Sequence, residues 1–148
     1  MDTELVARLR AVIPRLARVL NDTTTGADLT PTQYSVLALT HVRGPIGLTE
    51  LTELEGLNPT MLSRVVKVLD ERGLIRRMQD PGDLRAARVE VTLEGARLHD
   101  QVRAERTKVL SECLQALPSD TAFMLLKAVP DLEALAEALK PPAKPAKG

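Results

Sequence analysis

Between Asn58 and Thr92 the chain reads NPTMLSRVVKVLDERGLIRRMQDPGDLRAARVEVT, an order that leaves few folds open: a two-faced helix, a glycine stop, then two short strands about a charged turn. Asn58 is placed to cap the helix and Pro59 to take its first position, where proline's missing N–H costs nothing. Leu62, Val65, Val66 and Leu69 recur at the spacing that lines one face of a helix, which predicts a stripe turned to the core. At about 100° per residue, Thr60, Ser63, Arg64 and Lys67 fall on the opposite face, two hydroxyls and two cations. DNA phosphates and base edges ask for that set, and Met61 lies beside it. A merely solvated surface would tolerate the same residues. Gly73 is expected to end the helix as its C′ residue.

The residues after Gly73 decide between a DNA-reading face and a solvated one. Leu74, Ile75, Arg76 and Arg77 predict a short strand, Asp80-Pro81-Gly82-Asp83 a turn, and Arg88 to Thr92 a returning strand by alternation. A hairpin directly after a two-faced helix is the winged-helix order. Its tip is expected to project Arg85, long enough to enter a minor groove whose negative potential attracts arginine. Arg76, Arg77 and Arg88 are candidates for phosphate contacts. Residues 58–92 hold seven Lys and Arg against five Asp and Glu in a chain whose totals balance at 20 each, so any steering toward DNA falls to a local patch.

Upstream the pattern is helical. Leu5, Leu9, Val12, Ile13, Leu16 and Leu20 form one stripe over residues 4–20, with Pro14 inside it as an expected kink or division. NDTTTGAD, residues 21–28, reads as a polar loop. Thr30, Pro31 and Gln33 make a capping box for a second helix, with Tyr34, Leu37, Ala38 and Val42 as its buried side. Gly44, Pro45 and Gly47 break that helix. Thr49 is expected to cap a third, with Leu51 and Leu54 inward and Glu50, Glu53 and Glu55 outside. Gly56-Leu57 then turns into Asn58, which makes a helix-turn-helix whose second helix reads DNA.

Downstream, Thr92 can cap a long helix carrying Leu98, Val102, Val109, Cys113 and Leu117. After Pro118-Ser119 a last helix carries Ala122, Leu125, Leu126, Val129, Leu132, Leu135 and Leu139, with Pro130 as an expected kink. A domain as small as residues 29–92 does not need these stripes to close. The excess apolar surface at residues 1–28 and 93–139 therefore predicts helices of a second, identical subunit, folding back within one chain being the other option. The expected organisation is one domain over 1–139 with a disordered lysine- and proline-rich tail at 140–148.

Several function classes lose ground on residue chemistry. Tyr34 and Phe123 are the only aromatics, so the stacking platforms of single-strand binders are missing. His41 and His99 stand far apart in sequence with no Cys or carboxylate at ligand spacing, so no metal site and no cofactor are expected. His99 and Asp100 point about 100° apart on a helix and make no catalytic pair. Cys113, the single thiol, lies on an apolar stripe and reads as a buried structural cysteine before a redox sensor. No convergent polar site can be assembled, so no enzyme is expected. The absence of a long apolar run or signal-peptide pattern predicts a cytoplasmic protein with no membrane partner. Two classes remain: a DNA-binding regulator or, as the alternative, a winged-helix protein-interaction module without DNA-binding activity, which would not need the cationic face or Arg85.

From its first helix to Leu139 the chain resembles the MarR family of bacterial and archaeal transcription regulators. The specific residues are Leu62-Ser63-Arg64 in the reading helix, the Leu69 to Gly73 stop, Asp83 and Arg85 in the wing, and Val91-Thr92 at its end. LTPTQYSVL matches the family's second helix and LTELTELEGLNPT its helix-turn-helix entry. The resemblance implies a mainly α fold with a small β-hairpin wing, a winged helix-turn-helix joined to a helical dimerisation region. It implies a homodimer reading a palindromic operator in double-stranded DNA, commonly a repressor released by a small phenolic or anionic effector. That effector is expected between the first, second and fifth helices, near Leu16, Leu20 and Tyr34. Asp83 is expected to pin the wing by a charge-assisted bond to an arginine. Leu84 departs from the family, which often has a base there, and is expected to weaken wing contact with phosphate. The prolines at 14 and 130 are also foreign to the pattern.

Overall fold

The computed structural model describes residues 1–22 and 28–142, with those at 80 and 83–86 as backbone only. Among the described residues the order is α1 (Thr3–Asp22), α2 (Pro31–Arg43), β1 (Ile46–Gly47), α3 (Leu48–Glu55), α4 (Pro59–Glu71), β2 (Ile75–Asp80), β3 (Asp83–Val91), α5 (Leu93–Ala116), α6 (Ser119–Lys127) and α7 (Val129–Ala138). The expected mainly α fold with a small wing is therefore observed. Contacts group the chain into Met1–Val109 and Leu110–Gly148.

The first unit is built around the winged helix. Thr30 caps α2 reciprocally: its Oγ1 accepts from the Gln33 N–H at 3.2 Å, while the Gln33 side chain accepts from the Thr30 N–H at 3.0 Å. Val36 and Leu37 from α2, Leu51 from α3, Val66 and Leu69 from α4, and Ile46, Ile75 and Val89 from the three strands fill a core closed to solvent. Thr40 is the buried hydroxyl among them, and it donates to the Val36 carbonyl at 2.8 Å, so its polar group is not stranded.

The wing is larger than the expected hairpin. Its three antiparallel strands run in the order β1-β3-β2. β1 is only Ile46 and Gly47, paired with Val89 and Arg88. β2 extends to Asp80 and β3 starts at Asp83, so Pro81-Gly82 alone make the turn, with a bulge between Gln79 and Asp80. Arg85 consequently falls within β3 after the turn, not at the tip.

Three features of burial overturn expectations. Val42 is 74% exposed and His41, one residue before it, turns half inward instead. Leu54 is 46% exposed, and the helix α3 has Gly47 rather than Thr49 at its N-cap, with no side chain bonded there. Cys113 is exposed rather than buried.

Pro14 does not divide α1, and Pro130 stands at the expected interruption, in an early position of α7 after a break from α6 at Ala128. That placement is the one at which proline removes no helical hydrogen bond. The lysines of the expected tail at 144 and 147, and residues 23–27 of the expected loop, lie outside the described residues.

Candidate nucleic-acid interface

The reading helix forms as its sequence dictates. Asn58 Oδ1 accepts from the Met61 N–H at 2.8 Å, which satisfies one of the donors a helix start leaves open. At the other end Gly73 adopts φ +73°, its N–H donates to the Asp70 carbonyl at 2.9 Å, and the Leu74 N–H reaches back to the Leu69 carbonyl at 2.9 Å. These two bonds form a Schellman stop. Between the caps Leu62, Val65, Val66 and Leu69 are buried, whereas Thr60, Met61, Ser63, Arg64 and Lys67 are all exposed. Four polar side chains thus share one open face, and Lys67 also stands 4.0 Å from Glu71, a solvated pair of little energetic weight.

The arginines of the wing divide by partner. Arg76 is ion-paired across the strands with Glu90, its Nε donating to Oε1 at 2.6 Å. Arg88 donates from Nη2 to the Pro45 carbonyl at 2.8 Å, tying β3 to the chain just before the helix-turn-helix. Arg77 is exposed. The side chains of Asp83 and Arg85 lie outside the described residues, so the expected pinning of the wing does too.

Other links hold the interface in place. Arg72, past the end of α4, donates to the Asp28 carbonyl at 2.7 Å. Ser35 on α2 donates to the Glu55 carboxylate on α3, at 3.0 Å to one oxygen. Thr92 Oγ1 donates to the Gly73 carbonyl at 2.6 Å and accepts from the Gly95 N–H at 3.1 Å, so one hydroxyl joins the stop of α4 to the start of α5. Hydrophobic periodicity carries no signal for such links, because each depends on side chains that the folded chain brings within reach.

The expected effector residues are only partly brought together. Tyr34 is buried and stacks on the His99 ring, with centroids 5.8 Å apart and planes 4° from parallel, while the Arg106 guanidinium sits 4.2 Å from its centroid. Burial pushes the Tyr34 hydroxyl above its ordinary pKa, against the opposing pull of Arg106 and Arg103. Leu16 stands 57% exposed and Leu20 half-buried, and α1 has no buried residue. His41 and His99, far apart in sequence, lie with ring centroids 4.6 Å apart. Only the packing of α2 against α5 makes them neighbours.

A helix-turn-helix with an open hydroxyl and cationic face, followed by a β-wing, defines a DNA-binding transcription regulator. The MarR family model matches residues 29–87. An HTH-type transcriptional regulator of Mycobacterium leprae is 30% identical over 127 residues, 86% of this chain and 89% of the relative. The wild-type apo form of MarR from E. coli has 26% identity and a TM-score of 0.72, covering 91% of this chain and 96% of that one. A mutant MarR from E. coli complexed with operator DNA is similar at 25% identity and TM-score 0.67, covering 92% and 94%. The chain belongs to the MarR family of transcriptional regulators. No helix of the described residues is long and apolar enough to cross a membrane.

Proposed function

We propose that the chain acts in the cytoplasm as a repressor, binding a palindromic operator as a homodimer and leaving it when a small phenolic or anionic effector binds. The observation that carries this reading is the division of α4 into a buried aliphatic stripe and an open face of Thr60, Ser63, Arg64 and Lys67. Two such helices about 34 Å apart would enter successive major grooves. Met61 would flank the base edges, Arg76, Arg77 and Arg88 would contact phosphates, Asp83 would pin the wing, and Arg85 would enter the minor groove. Exposed Leu5, Leu9, Val12 and Ile13 on α1, and Leu126, Val129 and Leu132 at the other end of the chain, support pairing with a second copy. Tyr34 under the Arg106 guanidinium suits an aromatic or anionic guest, with Leu16 and Leu20 as the expected apolar wall.

Selection of bound fragments from random duplex DNA tests the reading. A palindrome with half-sites one helical turn apart is expected, and sedimentation should give twice the chain mass. Failure to enrich any duplex would favour the alternative, a winged-helix interaction module without DNA-binding activity.

A further inference from the structure

The chain has two histidines, and the fold puts them face to face. The His41 and His99 rings, from α2 and α5, are tilted by 38° with their centroids 4.6 Å apart. With the Asp100 carboxylate they offer three ligand atoms that all lie within 4.8 Å of one another. His99 is only 8% exposed, and the Nδ1 atoms of both rings are shut off from solvent without a hydrogen-bond partner. Asp100 Oδ1 stands 3.5 Å from His99 Nδ1, too long for a hydrogen bond to that nitrogen. Buried imidazole nitrogens are almost always satisfied, so two stranded in one place beside a carboxylate call for a ligand.

We propose that His41, His99 and Asp100 hold a divalent transition-metal ion, zinc in the first instance, which joins α2 to α5. Neutral imidazole nitrogen with a single carboxylate is the donor set that borderline ions prefer, whereas calcium and magnesium require oxygen cages. A tetrahedral zinc with N and O ligands about 2.0 Å away sets those ligands roughly 3.3 Å apart. The three ligand atoms, none more than 4.8 Å from another, reach that spacing through modest side-chain rotations. Three protein ligands leave a fourth position for water or an anion.

The test uses untagged full-length protein stripped with a chelator, titrated with zinc against a chromophoric competitor. Cobalt(II) serves as an absorbing stand-in, and no DNA is present, so the outcome is independent of operator reading. One ion per chain is expected, with both imidazole NMR signals displaced and the melting temperature raised by metal. His41→Gln and Asp100→Asn should each weaken binding about tenfold or more while melting like the parent without metal. Cys113→Ser should leave binding unchanged. Absence of stoichiometric binding, parent-like affinity in either ligand variant, or loss in the Cys113 variant overturns the assignment.

Discussion

Gly95 lies against the backbone of Leu74 so closely that a Cβ built on it would stand 1.9 Å from the Leu74 carbonyl oxygen and 2.8 Å from Val91 Cγ2. The first turn of α5 therefore seats directly on the start of β2, and that oxygen also accepts the Thr92 N–H at 3.0 Å. The nearer obstacle is backbone and cannot swing aside as a flexible side chain would. Gly95→Ala should destabilise the fold by about 3 kcal/mol, at the upper end of overpacking effects, as read by urea unfolding. A change within about 0.5 kcal/mol would show that α5 is not seated this way.

Asn58 is the side-chain cap of the reading helix, so its loss should be felt in stability before it is felt in DNA recognition. Asn58→Ala should cost about 1 kcal/mol and Asn58→Asp close to nothing, since both side chains accept from the same N–H. Equal loss in the two variants would mean that Asn58 acts through something other than capping. Thermal melts of both proteins decide the matter.

Arg64 and the wing arginines should separate in binding assays across salt concentration. Arg64→Ala should lose about 1 to 3 kcal/mol together with discrimination between operator and mismatched duplex. Arg77→Ala should lower the salt slope by about 1 with discrimination intact. Arg76→Ala should change that slope less, because Glu90 already neutralises it. Arg85→Ala should weaken binding with little effect on major-groove specificity. Identical behaviour of Arg64→Ala and Arg77→Ala would remove the division between base reading and phosphate contact.

Tyr34 introduces an alkaline limit. Its hydroxyl ionises at about pH 10 in the unfolded chain and higher in the folded one, where burial opposes the anion. The unfolded state therefore loses the proton first. The stability present below about pH 10 should fall as pH rises toward the folded value. Urea unfolding across that range should show a shallower decline in Tyr34→Phe than in the parent. Parallel declines would assign the alkaline sensitivity to other groups.

The reading helix is legible in the sequence because every cue agrees: Asn58 and Pro59 at one end, Gly73 at the other, and an aliphatic stripe between them. β1 is not, since Ile46-Gly47 is too short to show a period and forms only because β3 offers it an edge. The wing strands exceed their expected length for a related reason, because Met78-Gln79 pair through backbone groups and carry no alternation of side chains. Val42 and Leu54 look inward by spacing alone, yet the surfaces that would cover them belong to no element of the described chain. The meeting of His41 with His99 depends on how two helices pack, which no local pattern encodes.

The open apolar stripes of α1, α6 and α7 bear on how damage to this protein would be inherited. On the proposed pairing, a copy with a ruined reading helix but sound stripes would still find intact copies and spoil half of each pair. Lesions at Arg64 should therefore be dominant in a cell carrying both versions. Lesions that empty the core at Leu37 or Leu69 should be recessive, because the chain that bears them never survives to find a mate.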